Sequence, residues 1–152
     1  MAEAPKSEVT VERRFAAGPE RVFDAFLDAR VARHFLFATT TWEMIEAEVE
    51  PKVGGRFAFT ERRPRMGDVR HVGEFLQLDR PRRLVFSFSV PQFGASSTRV
   101  AIDIAPERGG CALTLTHEGV SAEFCERVKE GWGRILDGLL PAYEGRHAAG
   151  WL

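Results

Sequence analysis

The histidines are the first candidates for acid–base or metal chemistry in this 152-residue chain. His117 follows Leu113 and Leu115 at a spacing of two, so a strand would direct its imidazole toward the same buried face. A buried imidazole is able to act as a general acid or base near neutral pH, which makes His117 the one candidate catalytic residue. The alternative is a core histidine whose ring is hydrogen-bonded to the backbone or to the indole of Trp132.

The remaining reactive side chains form no recognisable catalytic or metal-binding pattern. Neither H-x-x-x-H nor H-E-x-x-H spacing occurs among the four histidines, which are His34, His71, His117 and His147. Glu74 lies three residues after His71 on one predicted strand, so the two side chains point to opposite faces. G-x-S-x-G is absent, and Gly54-Gly55 lacks the Lys-Ser/Thr of a phosphate-binding loop. We expect no metal and no cofactor, and a binding protein is favoured over an enzyme.

The composition is that of an ordinary globular protein, with 44% hydrophobic and 28% charged residues. A net charge of −1 gives no electrostatic case for binding nucleic acid or an anionic membrane. The basic residues are mostly Arg, 18 against 3 Lys, which a GC-rich genome explains. The clusters Arg62-Arg63-x-Arg65 and Arg80-x-Arg82-Arg83 fall at opposite ends of the predicted sheet, so they cannot form a single nucleic-acid-binding stripe.

Features that would indicate export or membrane insertion are missing from the sequence. Residues 1–7 contain no apolar stretch, and no window approaches the roughly 18 consecutive apolar residues of a membrane span. Cys111 and Cys125 lie on apolar segments without zinc or redox spacing, as expected of free thiols in a reducing compartment. We therefore expect a cytoplasmic protein.

Hydrophobic periodicity predicts the elements that must position these residues. A strand over 9–15 is followed by two short helices, the first opened by Gly18-Pro19-Glu20 and the second capped by Asp28. Period-two alternation then predicts strands near 40–50, 56–63, 69–78, 84–90, 100–104 and 112–117. An amphipathic helix over 121–143 completes the chain, although its pattern includes Gly131, Gly133 and Gly138.

Short turns between consecutive strands imply antiparallel neighbours, so the predicted class is α+β. We expect a curved antiparallel sheet of about seven strands gripping one long C-terminal helix, with two short helices after the first strand. A single domain is expected over 9–143, with flexible tails at 1–8 and 146–152. The chain is expected to be a monomer, or a homodimer formed through an edge strand.

The inner face of the sheet and the long helix are predicted to meet around a space that is either a filled core or an apolar cavity. The side chains expected to line it are Phe57, Phe59, Phe86, Phe88, Ile102, Leu115, His117, Val128, Trp132 and Ile135.

One end of this space is predicted to be open. The loops at 63–68 and 91–96 and the start of the last helix fall at the same end of the meander. Met66, Phe93 and Phe124 would then rim the opening, with Arg63 and Arg65 near it. Apolar residues at loop tips suit ligand entry or partner docking, and ordinary loop packing is the alternative.

The ordered set of these segments resembles the START-like superfamily, also called SRPBCC or helix-grip, and within it the branch named for the activator of the Hsp90 ATPase. The resemblance extends over about residues 9–143. Its pieces are FAAGPERVFDAF at 15–26, VGGRF at 53–57, GEF at 73–75, PRRLVF at 81–86, LTHEG at 115–119, and Gly131-Trp132 with Leu136 and Leu139.

The resemblance implies a deep cavity between the sheet and the long helix, in a superfamily that includes lipid carriers, hormone receptors, polyketide cyclases and the co-chaperone itself. Three functions are therefore expected: binding of a small apolar or amphipathic molecule, co-chaperone action on a heat-shock ATPase, or a cyclase or hydrolase activity using His117. The eukaryotic co-chaperone has an N-terminal domain that this sequence does not contain, which favours the first.

Overall fold

The computed structural model describes residues 6–38, 43–65, 67–93 and 97–144. Its strands are β1 (Lys6–Phe15), β2 (Glu43–Val49), β3 (Arg56–Arg63), β4 (Gly67–Asp79), β5 (Arg83–Phe88), β6 (Thr98–Glu107) and β7 (Gly110–Ser121). Its helices are α1 (Pro19–Ala25), α2 (Ala29–Ala32), α3 (Cys125–Asp137) and α4 (Leu139–Ala142). Short 3₁₀ turns lie at Pro91–Phe93 and Ala122–Phe124.

The seven strands form one curved, open sheet in the order β1-β7-β6-β5-β4-β3-β2, with every neighbouring pair antiparallel. Strands β2 to β7 follow one another as a meander because the turns between them are short. The predicted α+β class is confirmed. Strand β1 begins at Lys6, which pairs with Ser121, so residues 6–8 belong to the sheet although we expected them in the N-terminal tail. The predicted C-terminal tail at 146–152 lies outside the described residues.

Alternation along the strands separates a buried inner face from an outer face. Phe59 on β3, Phe86 on β5 and Ile102 on β6 are almost completely buried on the inner side. Burying an apolar side chain of this size contributes about 2 kcal/mol to stability. The inner face therefore forms one side of the core, and the helices cover it.

The two short helices begin as predicted and pack against α4, with α1 also contacting β6 and α2 contacting β2. Pro19 occupies the first turn of α1, and the Asp28 carboxylate accepts a hydrogen bond of 3.0 Å from the backbone N–H of Arg30 at the start of α2. The Tyr143 hydroxyl donates to the Arg21 carbonyl, and the Arg21 guanidinium lies 3.9 Å from the Tyr143 ring centre. These contacts hold Tyr143, the residue after α4, against α1.

The C-terminal helix is shorter than the predicted 121–143. Strand β7 extends to Ser121, and the helix proper covers Cys125–Asp137 before Gly138 separates it from α4. Pro141 explains the break, since it has no N–H to donate to the carbonyl of Asp137. Among the described helices, none is both long and apolar enough to span a membrane.

Strand β2 contains a bulge that the alternation of Ile45, Ala47 and Val49 did not predict. Register against β3 shifts between Met44 and Glu46, so Met44 is buried and Ile45 is 37% exposed. An extra residue in one strand reverses the facing of the side chains before it, which turns Ile45 outward.

Two glycines provide a matched test of how closely the backbone is packed. A Cβ at Gly73 would overlap the carbonyl oxygen of Ser87 and the ring of Phe57, whereas a Cβ at Gly131 on α3 would meet no atom within 4 Å. We expect Gly73→Ala to lower the free energy of unfolding by about 3 kcal/mol, because β5 must shift. Gly131→Ala should raise it by about 1 kcal/mol, because alanine is the better helix former. Urea denaturation measures both changes, and two variants of equal stability would contradict the described packing.

Candidate functional site

Phe37 occupies the space between the sheet and α3. Its ring stacks on His71 at a centroid distance of 4.7 Å and on Phe88 at 4.8 Å, and it meets the edge of Trp132 at 5.6 Å. We call these residues, with Phe57 and Phe59, the aromatic cluster. The backbone of Phe37 has a φ of 58°, a left-handed conformation that is strained for a bulky residue and costs on the order of 1–3 kcal/mol. Packing of its ring in the cluster offsets this strain.

His117 is the centre of a hydrogen-bonded chain that joins α3 to the sheet. The Trp132 indole N–H donates to its Nδ1 at 3.0 Å, and its Nε2 lies 2.7 Å from the Thr98 hydroxyl, which donates to the Phe88 carbonyl at 3.1 Å. Since an indole N–H only donates, Nδ1 must accept and the imidazole proton resides on Nε2. Burial lowers the pKa of His117 to about 4, so the ring is neutral at pH 7.

These hydrogen bonds correspond to the alternative in which His117 is a core histidine, and they include the predicted bond to Trp132. Both ring nitrogens of His117 form hydrogen bonds. Protonation of Nδ1 would bring its N–H against the indole N–H of Trp132, and two donors cannot form a hydrogen bond with each other. Acid–base chemistry at His117 would therefore require the bond that holds α3 to be broken. The geometry does not favour a catalytic role.

His71 and Glu61 are further buried polar residues on the inner face. His71 Nδ1 lies 3.3 Å from the Phe59 carbonyl, and burial lowers the pKa of His71 to about 4. The fully buried Glu61 carboxylate pairs with Arg63 at 2.8 Å, which compensates its removal from water. Within residues 6–38, 43–65, 67–93 and 97–144, no group of three or more His, Cys, Asp or Glu side chains is arranged to hold a metal ion.

A groove of about 420 Å³ lies between the start of α3 and the ends of β5, β6 and β7. We call it the end groove. Its lining residues are Lys6, Phe88, Ser89, Val90, Thr98, His117, Gly119, Val120, Ser121, Phe124, Arg127 and Val128. Phe124 stands at its rim with 45% of its surface exposed, while Phe88 and His117 form part of its wall and also touch Trp132.

A larger groove, of about 530 Å³, lies on the outer face of β2, β3 and β4. Its wall alternates carboxylates and guanidiniums, including Glu48, Arg56 and Glu74. Arg70 in this groove is already paired with Glu46 at 3.0 Å. Such a charge-balanced surface suits water better than an apolar ligand, so we consider the end groove the candidate site.

The residues expected to line a cavity fall into two groups in the structure. Phe88, His117 and Val128 line the end groove together with Phe124, which was expected at the mouth. The others lie in or beside the hydrophobic core: Phe57, Phe59, Phe86, Ile102, Leu115 and Trp132 are buried, and Ile135 is partly buried against it.

The structure describes only some of the other residues that were predicted to lie at the mouth. Phe93 ends the 3₁₀ turn that follows β5, and Met66 lies outside the described residues. Arg63 is drawn inward by its pairing with Glu61, and Arg65 is exposed on the loop between β3 and β4.

Sequence reasoning missed Phe37, Lys6 and Arg127. Phe37 follows a short helix and belongs to no periodic segment, so only its apolar character marked it. Lys6 lies in a segment expected to be a tail, and Arg127 appeared as part of the polar side of the last helix. The extended pairing of β1 with β7 places Lys6 at the groove, and nothing local to Lys6 indicates this.

The neutral state of His117 predicts a specific pH dependence of stability. With a pKa of about 4 against an ordinary value of 6.5, the folded protein binds fewer protons than the unfolded chain between these pH values. The free energy of unfolding therefore falls as the pH drops through this window. His117→Gln keeps an acceptor for Trp132 and a donor for Thr98 but cannot titrate. We expect its loss of stability between pH 7 and pH 5 to be about 2 kcal/mol smaller than that of the unchanged protein.

Urea titrations at the two pH values measure this difference. His71→Gln, which removes the other buried histidine, shows whether the two contributions add. An equal loss of stability in the unchanged protein and in His117→Gln would contradict a neutral, buried His117.

Solved structures with the same fold cover almost the whole chain. A Staphylococcus aureus protein matches with a TM-score of 0.82 at 14% identity, covering 94% of this chain and 96% of that one. A Chromobacterium violaceum protein matches with a TM-score of 0.78 at 24% identity, covering 88% and 94%. An AHSA1-like protein from Aeromonas hydrophila matches with a TM-score of 0.75 at 23% identity, covering 91% and 93%. At these identities the likeness establishes the fold alone.

The family is established by sequence. No curated protein matches the chain. The model of the family described as activator of Hsp90 ATPase homolog 1-like protein matches residues 16–143, which include every described element after β1. The sheet, the order of its strands and the C-terminal helix are those of the START-like, helix-grip fold. The chain therefore belongs to the activator of Hsp90 ATPase homolog 1-like family of START-like proteins.

Proposed function

We propose that this protein binds a small apolar or amphipathic molecule in the end groove. The observation that carries the proposal is a concave site of about 420 Å³ whose walls are mostly apolar and include a few polar groups. Small-molecule sites typically have this size and character. The groove lies between the sheet and the start of α3, and its lining includes Phe124, one of the three residues predicted to rim an opening.

The chemistry of the groove wall supports an apolar ligand. His117 is neutral because burial holds its pKa at about 4, and its hydrogen bonds are directed to Trp132 and Thr98. Phe88 presents a ring that also stacks on Phe37. A ligand in the groove therefore meets aromatic and aliphatic surface with no buried charge to desolvate.

Phe37 covers two of the deeper residues that were predicted to line a cavity. Phe57 and Phe59 pack against its ring, so a ligand reaches them only if that ring moves. The end groove is accessible without such a movement. We therefore propose the end groove as the primary site and the space held by Phe37 as its extension.

Filling the groove tests the proposal. N-phenyl-1-naphthylamine is a neutral apolar probe whose fluorescence rises on burial, and we expect it to bind the unchanged protein saturably. Val128→Trp introduces a large side chain into the groove wall and should weaken this binding by at least about tenfold. Lys129→Trp adds the same side chain at the next, exposed position of α3 and should leave the affinity unchanged.

Circular dichroism establishes that both tryptophan variants are folded. Absence of saturable probe binding to the unchanged protein would overturn the proposal. Equal affinity of Val128→Trp and the unchanged protein would show that the probe binds elsewhere.

A second candidate function, activation of the Hsp90 ATPase, is supported by the family description. Its test is the rate of ATP hydrolysis by the Hsp90 of the same cells with increasing amounts of this protein. A rise in turnover would support this function. Unchanged turnover together with saturable probe binding would favour the groove as the functional site.

A further inference from the structure

The charged residues that line the end groove all have one sign. Lys6 at the start of β1 and Arg127 in the first turn of α3 line it, and none of its described lining residues is acidic. The whole chain has 21 basic and 22 acidic residues, so this excess of positive charge is local.

Neither cation is neutralised by the part of the chain that the structure describes. The side chains of Lys6 and Arg127 form no ion pair or hydrogen bond with any residue in the described ranges. Several arginines elsewhere are paired at short range, for example Arg80 with Asp24 at 2.8 Å and Arg83 with Asp103 at 2.7 Å. Within the described ranges, no carboxylate competes with a bound anion for Lys6 and Arg127 in this way.

The fold brings the two cations to the same opening from different elements. Lys6 is opposite Ser121 in the β1–β7 pairing, and Ser121 leads through the 3₁₀ turn into α3, where Arg127 lies two residues from the helix start. Apolar residues such as Phe88 and Val120 line the same groove. The groove is therefore apolar in its body and positive at its edges.

We infer that the ligand of the end groove is an amphipathic anion, with its apolar part along the wall and its anionic group held by Lys6 and Arg127. This inference rests on the proposed function. An arginine fork and a lysine ammonium are able to hold one carboxylate by charge-assisted hydrogen bonds. Beside apolar walls such bonds are stronger than in bulk water. A neutral or cationic molecule of the same shape would leave both cations without a partner.

Three straight-chain ligands of twelve carbon atoms test the inference: laurate, 1-dodecanol and dodecylamine. Each is titrated, below its micelle concentration at pH 7.5, against protein loaded with N-phenyl-1-naphthylamine. We expect laurate to displace the probe at a concentration at least about tenfold lower than 1-dodecanol. Dodecylamine, which is positively charged at this pH, should be the weakest competitor.

Charge removal identifies the residues involved. In the double variant Lys6→Gln/Arg127→Gln, laurate should displace the probe only at the concentration that 1-dodecanol requires. The concentration of 1-dodecanol that displaces the probe should be the same as for the unchanged protein. Lys52→Gln/Arg134→Gln removes the same charge at exposed positions outside the groove and should keep the preference for laurate. The unchanged affinity for 1-dodecanol also establishes that the groove is intact.

The outcomes separate this inference from the proposed function. If 1-dodecanol competes as well as laurate with the unchanged protein, the anionic ligand is overturned and the apolar site stands. A preference for laurate that survives in Lys6→Gln/Arg127→Gln overturns the assignment to these two residues. If the probe itself fails to bind saturably, the proposed function and this inference fall together.

Discussion

The hydrogen bond from the Trp132 indole to His117 holds α3 against the sheet in one position. Each partner is buried, and each would leave an unpaired polar group in the core without the other. Hydrophobic contact alone permits a helix to slide or rotate on a sheet, whereas a directional bond between one indole and one imidazole does not. The end groove depends on this placement, because its α3 wall begins one turn before Trp132.

The same bond determines the electrostatic character of the interior. His117 accepts from the indole only while it is neutral, and His71 stacks on the Phe37 ring with its pKa also lowered to about 4 by burial. Among the described residues, the charge on the inner face is that of Glu61 paired with Arg63. The interior therefore combines polar groups that fix geometry with apolar, largely aromatic surfaces.

Local sequence patterns predicted the parts of the fold that depend on local physics. Alternation gave six consecutive strands, Pro19 and Asp28 marked the helix starts, and the shared parity of His117 with Leu115 placed its imidazole inside the core. The helix end at Gly138 was missed because amphipathic periodicity continues through it. The outward turn of Ile45 was missed because a bulge changes the facing of residues without changing their types.

The candidate site was less predictable because its members meet through long-range pairing. Lys6 reaches the groove only through its register with Ser121, more than a hundred residues later. The alternation that identified Phe57 and Phe59 as inward-facing says nothing about whether another ring covers them. Phe37 does so from a connecting segment with a positive φ, and no periodic pattern marks such a residue.

Phe37 belongs to neither the sheet nor α3. This separation affects how proteins of this architecture diversify. The elements that define the scaffold and the residue that occupies its interior are separate in the chain, so mutation can act on one without redesigning the other. A single codon change at position 37 would resize the interior while the strand register and the Trp132–His117 bond remain in place. The size and shape of the interior in such a scaffold are therefore able to evolve faster than the scaffold itself.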